Sequence, residues 1–456
     1  MDYDAIVIGT GQAGPALARR LVAAGWKVAI VERKLFGGTC VNTGCTPTKT
    51  LVASAYAAHL ARRAADYGVS VGGTVEVDMK AVKARVDAVV GQSRNGVERS
   101  LRTLKGCTVY QGHGRFVGRK EVQVGKETLV ADKIFINVGG RALVPPIPGL
   151  DRVHYLTNSS MMDVDFLPRH LIVLGGSYVG LEFAQVYRRF GSEVTVIERA
   201  PRLIAREDED VSRAVANILT DEGIDIRVDS KVAGVEMHGS DIALTLETGA
   251  NPRIVGSHLL LAIGRRPNTD DLGLDKAGVV CDERGYIQVD EYLHASVPDI
   301  WALGDCNGRG AFTHTAWNDF EIVAANVLDD DPRRVTDRIE AYALYTDPPL
   351  ARAGMTEAEV RKSGRPALIA TMAMEDVSRA FERGETKGFM KMLVDKETKQ
   401  ILGASLLGLA GDEVIHCILD IMYAKAPCTV MQRAMHIHPT VSEFIPTMMG
   451  DLVPLQ

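Results

Sequence analysis

The sequence of 456 residues predicts an α/β fold in which one βαβ unit occurs twice and a smaller α+β region follows. Residues 4–14 (DAIVIGTGQAG) join an apolar strand to a glycine-rich turn, and residues 170–180 (HLIVLGGSYVG) repeat this pattern 166 positions later. A helix pattern and a second apolar strand follow each turn. From about residue 339, short apolar stretches separated by turn residues replace this order.

The two glycine-rich turns have the spacing of dinucleotide-binding loops. In such loops the first glycine makes the tight turn, the second lets the backbone approach a pyrophosphate, and the third allows close packing of helix on strand. An acidic residue, Glu32 or Glu198, follows 18 positions after the last glycine and is placed to accept a hydrogen bond from a ribose hydroxyl. We therefore predict two Rossmann-like dinucleotide-binding domains. The loop positions are Gly9, Gly11 and Gly14 in the first copy, and Gly175, Ser177 and Gly180 in the second.

The C-terminal region shows the pattern of an antiparallel sheet with a helix. Residues 366–374 and 389–395 are predicted strands, and the second of these should pair with residues 401–407 through the polar turn KETK. A helix is predicted over residues 412–426. The complete prediction is thus an α/β chain with two Rossmann-like domains and a C-terminal α+β domain.

Two cysteines lie close together in residues 37–50, GGTCVNTGCTPTKT, directly after the first βαβ unit. The chain has seven cysteines, an odd number that is thinly spread, so a disulfide scaffold is not predicted. Two thiols that can form a disulfide store two electrons, the number that a nicotinamide delivers as hydride. Cys40 and Cys45 are therefore candidate redox thiols. The alternative is a pair of buried thiols that do not react.

Composition excludes several classes of partner. The net charge is −6, with both signs interspersed, which argues against nucleic acid and against an anionic membrane surface. No apolar run reaches the length of a membrane helix, and no secretory leader precedes the first strand, so we expect a cytoplasmic protein without membrane partners. The prediction includes no resident metal ion.

Seven motifs occur in an order that resembles the class I pyridine nucleotide-disulfide oxidoreductases, the flavoprotein family of glutathione reductase, dihydrolipoamide dehydrogenase and mercuric reductase. The resemblance covers essentially the whole chain. Residues 44–50 (GCTPTKT) and 345–354 (YTDPPLARAG) are most similar to the mercuric reductase branch. The motifs occupy residues 9–14, 37–49, 137–141, 175–182, 262–268, 301–306 and 436–443.

This resemblance implies FAD and NADH or NADPH as cofactors and a homodimer as the assembly. It implies a discontinuous FAD-binding domain at residues 1–148 and 269–338. An NAD(P)-binding domain is implied at residues 149–268 and a dimerisation domain at residues 339–456. The nucleotide remains open, because Glu198 suits the free 2′-hydroxyl of NADH while Arg199 and Arg202 are possible ligands of the NADPH phosphate. We favour NADH.

The resemblance also implies roles for individual residues. Cys45 should face the flavin and Cys40 should meet the substrate, while Lys49 and Glu182 should form an ion pair near the reactive edge of the flavin. Tyr178 should gate the nicotinamide pocket. His438 and Glu443 should serve as base and orienting carboxylate in the active site of the other subunit. The implied cofactor-binding positions are Gly9, Gly11, Gly14, Glu32, Arg33, Gly38, Thr39, Lys49, Gly139, Gly175, Ser177, Tyr178, Gly180, Glu198, Arg199, Gly264, Gly304 and Asp305.

The substrate is expected to be a small disulfide or a thiophilic metal ion. Mercuric reductases carry a cysteine pair near the C-terminus, whereas no cysteine follows Cys428 here, so efficient Hg(II) reduction is not expected. Mercuric reductase proper, dihydrolipoamide dehydrogenase, and an NAD(P)H oxidase or transhydrogenase with idle thiols remain alternatives. A redox-sensing binding protein is a further one, but it would not need His438 and Glu443.

Overall fold

The computed structural model describes residues 2–247 and 252–456. The strands are β1 (Asp2–Ile8), β2 (Val28–Glu32), β3 (Cys107–Gln111), β4 (Gly114–Gly118), β5 (Glu121–Val124), β6 (Glu127–Ile136), β7 (Gly140–Ala142), β8 (Leu156–Thr157), β9 (His170–Leu174), β10 (Glu193–Ile197), β11 (Asp225–Arg227), β12 (Val232–His238), β13 (Asp241–Leu246), β14 (Arg253–Gly256), β15 (His258–Leu261), β16 (Arg265–Pro267), β17 (Ile300–Ala302), β18 (Ala341–Leu344), β19 (Leu350–Gly354), β20 (Ala367–Ala373), β21 (Phe389–Asp395), β22 (Ile401–Leu407) and β23 (Val453–Pro454).

The α-helices are α1 (Ala13–Ala23), α2 (Gly38–Thr43), α3 (Cys45–Arg62), α4 (Met79–Arg102), α5 (Tyr178–Phe190), α6 (Glu209–Asp221), α7 (Leu274–Ala277), α8 (Thr313–Leu328), α9 (Glu357–Ser363), α10 (Ser378–Glu382), α11 (Gly411–Tyr423), α12 (Thr429–Arg433) and α13 (Phe444–Met449). Among the described residues, no helix combines the length and apolarity that a membrane crossing requires.

The first sheet has seven strands, in the order β3-β2-β1-β6-β5-β4, with β17 paired to β6. Strands β1, β2, β3, β6 and β17 form parallel pairs, and β4 and β5 add an antiparallel edge. All five residues of β2 are buried, which is typical of a strand covered on both faces. The parallel strands have their carboxyl ends on the same side of the sheet, and the first glycine-rich turn lies on that side.

The second sheet repeats this arrangement. Its five strands, in the order β11-β10-β9-β15-β8, are all parallel. The repeat extends to the register, because Ala5 pairs with Val28 in the first sheet and Leu171 pairs with Val194 in the second, each 166 positions later. The predicted repetition of one βαβ unit is thus confirmed. A three-stranded antiparallel sheet, β12-β13-β14, accompanies the second unit.

The chain leaves and re-enters the first unit through a two-stranded connection. Strands β7 and β16 pair antiparallel, with Gly140 opposite Pro267. The β16 strand belongs to the motif AIGRRPN, and β17 then returns to the first sheet beside β6. The antiparallel pair therefore holds together the outgoing and incoming segments next to the first glycine loop.

The C-terminal region forms a six-stranded antiparallel sheet in the order β18-β19-β22-β21-β20-β23. The predicted hairpin of residues 389–395 and 401–407 is confirmed at those boundaries. The predicted helix of residues 412–426 is observed as α11, which ends at Tyr423. It ends earlier because Lys425 adopts a left-handed backbone conformation, with φ of 53°, which an α-helix does not continue through.

Candidate active site

The first glycine loop is closed tightly against the sheet. Gly9 has φ of +108°, and a Cβ there would lie 2.2 Å from the backbone oxygen of Asn137. A Cβ on Gly14 would lie 2.2 Å from the oxygen of Gly9, and one on Gly11 would lie 3.0 Å from Asn137 Oδ1. Helix α1 has no acidic residue in its first turn and no side-chain cap at Gln12. The loop thus fits a pyrophosphate, whose oxygens can approach bare backbone at a helix N-terminus.

The second loop has the same geometry despite its serine. A Cβ on Gly175 would lie 2.4 Å from the oxygen of Ala262, and one on Gly180 would lie 2.0 Å from the oxygen of Gly175. Ser177 has φ of −116°, which any residue can adopt, and its side chain makes no capping hydrogen bond to α5. The serine is therefore compatible with a free helix N-terminus at the second loop.

The two acidic residues are anchored to their glycine loops. Glu32 accepts hydrogen bonds from the backbone nitrogen and the hydroxyl of Thr10, at 3.1 and 2.6 Å. Glu198 accepts one from the backbone nitrogen of Gly176 at 2.7 Å. Each carboxylate is held at the end of the second strand of its unit, and a carboxylate in this position can also accept from a ribose hydroxyl.

The arginines near these carboxylates differ in their contacts. Arg33 is exposed and forms an ion pair with Asp271 at 3.0 Å. Arg199 is exposed at the second unit. Arg202 instead donates to the backbone oxygen of Ala205 at 3.2 Å. Arg199 is therefore more accessible to a nucleotide phosphate than Arg202.

Residues from three distant segments converge beside the first loop. Arg265 Nε lies 3.4 Å from Asp305 Oδ2, and its Nη2 lies 3.4 Å from the hydroxyl of Thr39. Gly38 has φ of +62°, and a Cβ there would lie 2.9 Å from the Cα of Gly11, so α2 begins against the glycine loop. The other implied glycines with positive φ are Gly139 (64°), Gly264 (128°) and Gly304 (73°).

The two candidate redox thiols lie in successive helices. Cys40 belongs to α2, and Cys45 is the first residue of α3, where the helix dipole favours a thiolate. Both cysteines are free thiols. Cys45 Sγ lies 3.2 Å from the hydroxyl of Thr313, the first residue of α8.

The two thiols differ in acidity. The pKa of Cys45 is lowered to about 6, first by a hydrogen bond from the Cys40 thiol and further by Thr313 and the charge of Lys49. The pKa of Cys40 is raised, first because its thiol donates to Cys45 and then because of burial. Cys45 is therefore the thiolate of the pair, and Cys40 carries the proton.

Lys49 and Glu182 form an ion pair that joins α3 to the helix of the second unit. Lys49 Nζ lies 2.7 and 2.9 Å from the two carboxylate oxygens of Glu182. The side chain of Glu182 is 6% exposed and also accepts from the backbone nitrogen of Tyr345 at 3.0 Å. Lys49 Nζ lies 4.5 Å from the centroid of the Tyr345 ring. Both nucleotide units and the C-terminal region therefore meet within one turn of α3 from Cys45.

Tyr178 stands at the first position of α5. Its hydroxyl donates to Glu207 Oε1 at 3.2 Å. Its ring makes edge-to-face contacts with Phe312 and Tyr342, at centroid distances of 6.0 and 5.4 Å. Because Phe312 directly precedes Thr313, the Tyr178 ring lies close to the segment that contacts Cys45.

His438 and Glu443 form a second pair at the C-terminal end. His438 Nδ1 lies 3.1 Å from both carboxylate oxygens of Glu443, and the backbone nitrogen of Thr440 donates to the same carboxylate. The His438 side chain is 74% exposed. Within the described ranges, no hydrogen bond or ion pair connects His438 with Cys40 or Cys45 of the same chain. The imidazole is therefore oriented by its carboxylate and presents its other nitrogen to solvent.

Sequence reasoning did not single out Thr313 and Arg265. Thr313 follows the motif of residues 301–306 after a short glycine-containing loop, and only the packing of α8 brings its hydroxyl to Cys45. Arg265 belongs to the motif AIGRRPN, but its contact with Asp305 could not be predicted from the sequence. In the described part of the chain, no group of three or more His, Cys, Asp or Glu side chains is arranged to hold a metal ion.

Comparison with known families gives two consecutive matches. Residues 3–319 match the pyridine nucleotide-disulphide oxidoreductase family, and residues 341–449 match the dimerisation domain of the same proteins. The second match supports a homodimer.

Individual relatives are similar in sequence to this chain over nearly its full length. The chain is 35% identical to the probable pyridine nucleotide-disulfide oxidoreductase RclA of Escherichia coli, over 97% of each chain. It is 35% identical to a mercuric reductase of Streptomyces lividans and 34% identical to a dihydrolipoyl dehydrogenase of Thermus scotoductus. Each alignment covers 97% of this chain, and 94% and 95% of the relatives.

A solved structure described as the Cu(II) complex of HOCl-induced flavoprotein disulfide reductase RclA matches with a TM-score of 0.90 and 34% identity. That match covers 98% of this chain and 99% of the other. The predicted family, the α/β fold class and the two cofactors are thereby confirmed. The chain belongs to the class I pyridine nucleotide-disulfide oxidoreductases, the flavoprotein family of glutathione reductase and dihydrolipoyl dehydrogenase, and it uses FAD and NADH or NADPH.

Proposed function

We propose that the protein passes electrons from NADH through FAD to a Cys40–Cys45 disulfide, and from the resulting dithiol to a small disulfide or a thiophilic metal ion. The observation that carries this proposal is the unequal thiol pair. A hydrogen bond from Cys40 lowers the pKa of Cys45 to about 6. Such a pair has one thiolate, which is the nucleophilic form of sulfur, and one protonated thiol, and this suits a dithiol centre that exchanges two electrons.

The two nucleotide sites follow from the two glycine loops. We assign the first loop, with Glu32, Gly38 and Asp305, to FAD and the second loop, with Glu198, to the nicotinamide nucleotide. FAD bound there would supply two-electron redox chemistry between the nicotinamide and sulfur. Lys49, held by Glu182 at 2.7 Å, places a cation close to Cys45 that lowers the pKa of its sulfur, whereas the charge of Glu182 raises it.

The sulfur chemistry then involves both thiols in turn. The partner subunit's His438 removes the proton of Cys40, whose sulfur attacks one sulfur of the substrate disulfide and expels the other as a thiolate. The Cys45 thiolate attacks Cys40 in this mixed disulfide and releases the second substrate thiol. The substrate gains two electrons and two protons, one proton from Cys40 by way of His438 and the other from solvent, and the Cys40–Cys45 disulfide is restored. A base is needed because the pKa of Cys40 is raised by its hydrogen bond to Cys45 and by burial.

Thiophilic metal ions are the second class of substrate. Thiolates are soft ligands, and the names of the relatives include mercuric reductase and a Cu(II) complex of RclA. Cu(II) is therefore the first metal ion to test, with Hg(II) beside it.

A dihydrolipoyl dehydrogenase is the other candidate activity, since such an enzyme is 34% identical over 97% of the chain. It would be recognised by rapid NAD⁺ reduction with dihydrolipoamide as the donor.

Replacing Cys40 or Cys45 by serine should reduce NADH-driven reduction of disulfides and metal ions to background, because the dithiol is lost. Anaerobic titration with NADH should show that each variant takes up two electrons fewer per subunit than the wild type. The control is Cys281→Ser, because Cys281 lies outside this site and is a free thiol. Undiminished substrate reduction by Cys40→Ser would reject the dithiol mechanism.

Replacing Thr313 by valine should raise the pKa of Cys45 from about 6, because a hydroxyl donor to the thiolate is lost. The thiolate is the form present above the pKa, so its ultraviolet absorbance in the reduced enzyme should decrease as the pH falls through about 6. In the variant, the midpoint should be higher by about one pH unit. Thr313→Ser keeps the hydroxyl donor, so Cys45 should titrate in this variant as it does in the wild type. Equal midpoints in Thr313→Val and the wild type would contradict the role of Thr313 as a donor to Cys45.

Mixing two inactive variants tests whether His438 acts across subunits. Cys40→Ser and His438→Ala should each reduce activity strongly, the latter by about a hundredfold or more. After subunits are exchanged, a mixed dimer has one site with both lesions and one intact site, so activity should return to about a quarter of the wild-type value. If His438 served its own subunit, no site in a mixed dimer would be intact and activity would not return.

We further propose a preference for NADH, supported by the position of Glu198 beside Gly176 at 2.7 Å. A carboxylate there repels the additional phosphate of NADPH, so kcat/KM for NADH should exceed that for NADPH by about tenfold or more. Arg199→Ala should leave the NADH value unchanged. An NADPH preference that is lost in Arg199→Ala would show instead that Arg199 binds the phosphate.

A further inference from the structure

The hydroxyl of Tyr178 donates a hydrogen bond to a deeply buried carboxylate. Its acceptor, Glu207 Oε1, lies at 3.2 Å and also accepts from the hydroxyl of Tyr342 at 2.7 Å. Glu207 is 1% exposed and lies in the segment between β10 and α6 of the second unit. A tyrosine that donates to a buried carboxylate loses a charge-assisted hydrogen bond if its ring moves away.

The C-terminal region fixes this carboxylate in place. Arg352, in β19, donates to the second oxygen of Glu207 at 2.7 Å, and the side chains of both residues are no more than 2% exposed. Arg352 also lies 3.2 Å from Asp208, which in turn contacts the buried Lys391 at 3.0 Å. Because Arg352 and Lys391 are held by several acidic partners, Glu207 cannot follow Tyr178 without breaking buried ion pairs.

We propose that Glu207 is a positioning residue that holds the Tyr178 ring in its packed position against Phe312 and Tyr342. This inference rests on the proposed function, in which the nicotinamide nucleotide binds at the second glycine loop, and on the gating role of Tyr178 that the family resemblance implies. Entry of the nicotinamide requires Tyr178 to leave its contacts and to break its hydrogen bond to Glu207. The strength of that bond therefore lowers the affinity for the nicotinamide half of the nucleotide. The ADP-ribose half binds at the second glycine loop and does not require this movement.

The test compares two ligands on the FAD-loaded enzyme. NAD⁺ carries the nicotinamide, whereas ADP-ribose lacks it, and neither reduces the flavin, so both dissociation constants can be measured by titration calorimetry. Tyr178→Phe removes the hydrogen bond and keeps the ring, and should tighten NAD⁺ binding by about fivefold. Binding of ADP-ribose should remain unchanged. A general disturbance of the second unit would change both constants together.

Tyr342→Phe is the comparison variant: it removes the other hydroxyl that donates to this carboxylate oxygen, so that Tyr178 keeps its bond to Glu207 and loses only its contact with the Tyr342 hydroxyl. Its NAD⁺ dissociation constant should change by less than about twofold. Combining Tyr178→Phe with Glu207→Gln forms a double-mutant cycle, in which the effect of the tyrosine substitution should become much smaller. If Glu207→Gln does not fold, the two single tyrosine variants still decide the question.

Three results would overturn the positioning role: an unchanged NAD⁺ dissociation constant in Tyr178→Phe, an equal change for ADP-ribose, or a full effect of Tyr178→Phe in the Glu207→Gln background. These outcomes are separable from failure of the proposed function. If NADH does not reduce the flavin of the wild-type enzyme, the electron path is wrong. If NADH reduces it normally and Tyr178→Phe binds both ligands like the wild type, only the role of Glu207 is wrong.

Discussion

The ion pair between Lys49 and Glu182 joins the helix that begins with the thiolate to the helix that begins with the second glycine loop. A carboxylate that is 6% exposed is costly to bury unless a cation and further donors satisfy it. Lys49 and the backbone nitrogen of Tyr345 supply both. The same carboxylate therefore fixes the relative positions of both nucleotide units and the C-terminal region, and the thiol pair lies where these parts meet.

The difference in pKa between the two thiols has a local cause. Cys45 lies at the start of an α-helix and receives hydrogen bonds from Cys40 and Thr313, so its anion is stabilised. Cys40 gives up its proton less readily because that proton is used in the bond to Cys45. In the proposed mechanism, this asymmetry separates the sulfur that exchanges electrons with the cofactor from the sulfur that meets substrate. In the same mechanism, the raised pKa of Cys40 is the reason why a base is needed, and the exposed imidazole of His438, oriented by Glu443, would supply that base to the second subunit.

Relatives with different names show that the family fold and its motifs do not by themselves define the substrate. Proteins named RclA, mercuric reductase and dihydrolipoyl dehydrogenase are all 34–35% identical to the chain over nearly its whole length. A dithiol beside a flavin transfers two electrons in either direction and to different acceptors. In the proposed mechanism, substrate choice therefore depends on the surface around Cys40 and on the groups that the second subunit adds, rather than on the electron path.

The sequence by itself determined the repeated βαβ unit and the glycine loops, because these depend on local backbone geometry and on fixed spacing. It also predicted Cys40 and Cys45 as the redox thiols. A glycine is required where a Cβ would fall 2.2 Å from a backbone oxygen, and such constraints are visible in a single sequence. The tertiary structure decided which thiol is ionised and which residues act on it. Thr313 lies 268 positions from Cys45, and Arg352 lies 145 positions from Glu207. Contacts between residues so far apart depend on the packing of whole elements, and pKa values depend on the charges and burial that this packing creates.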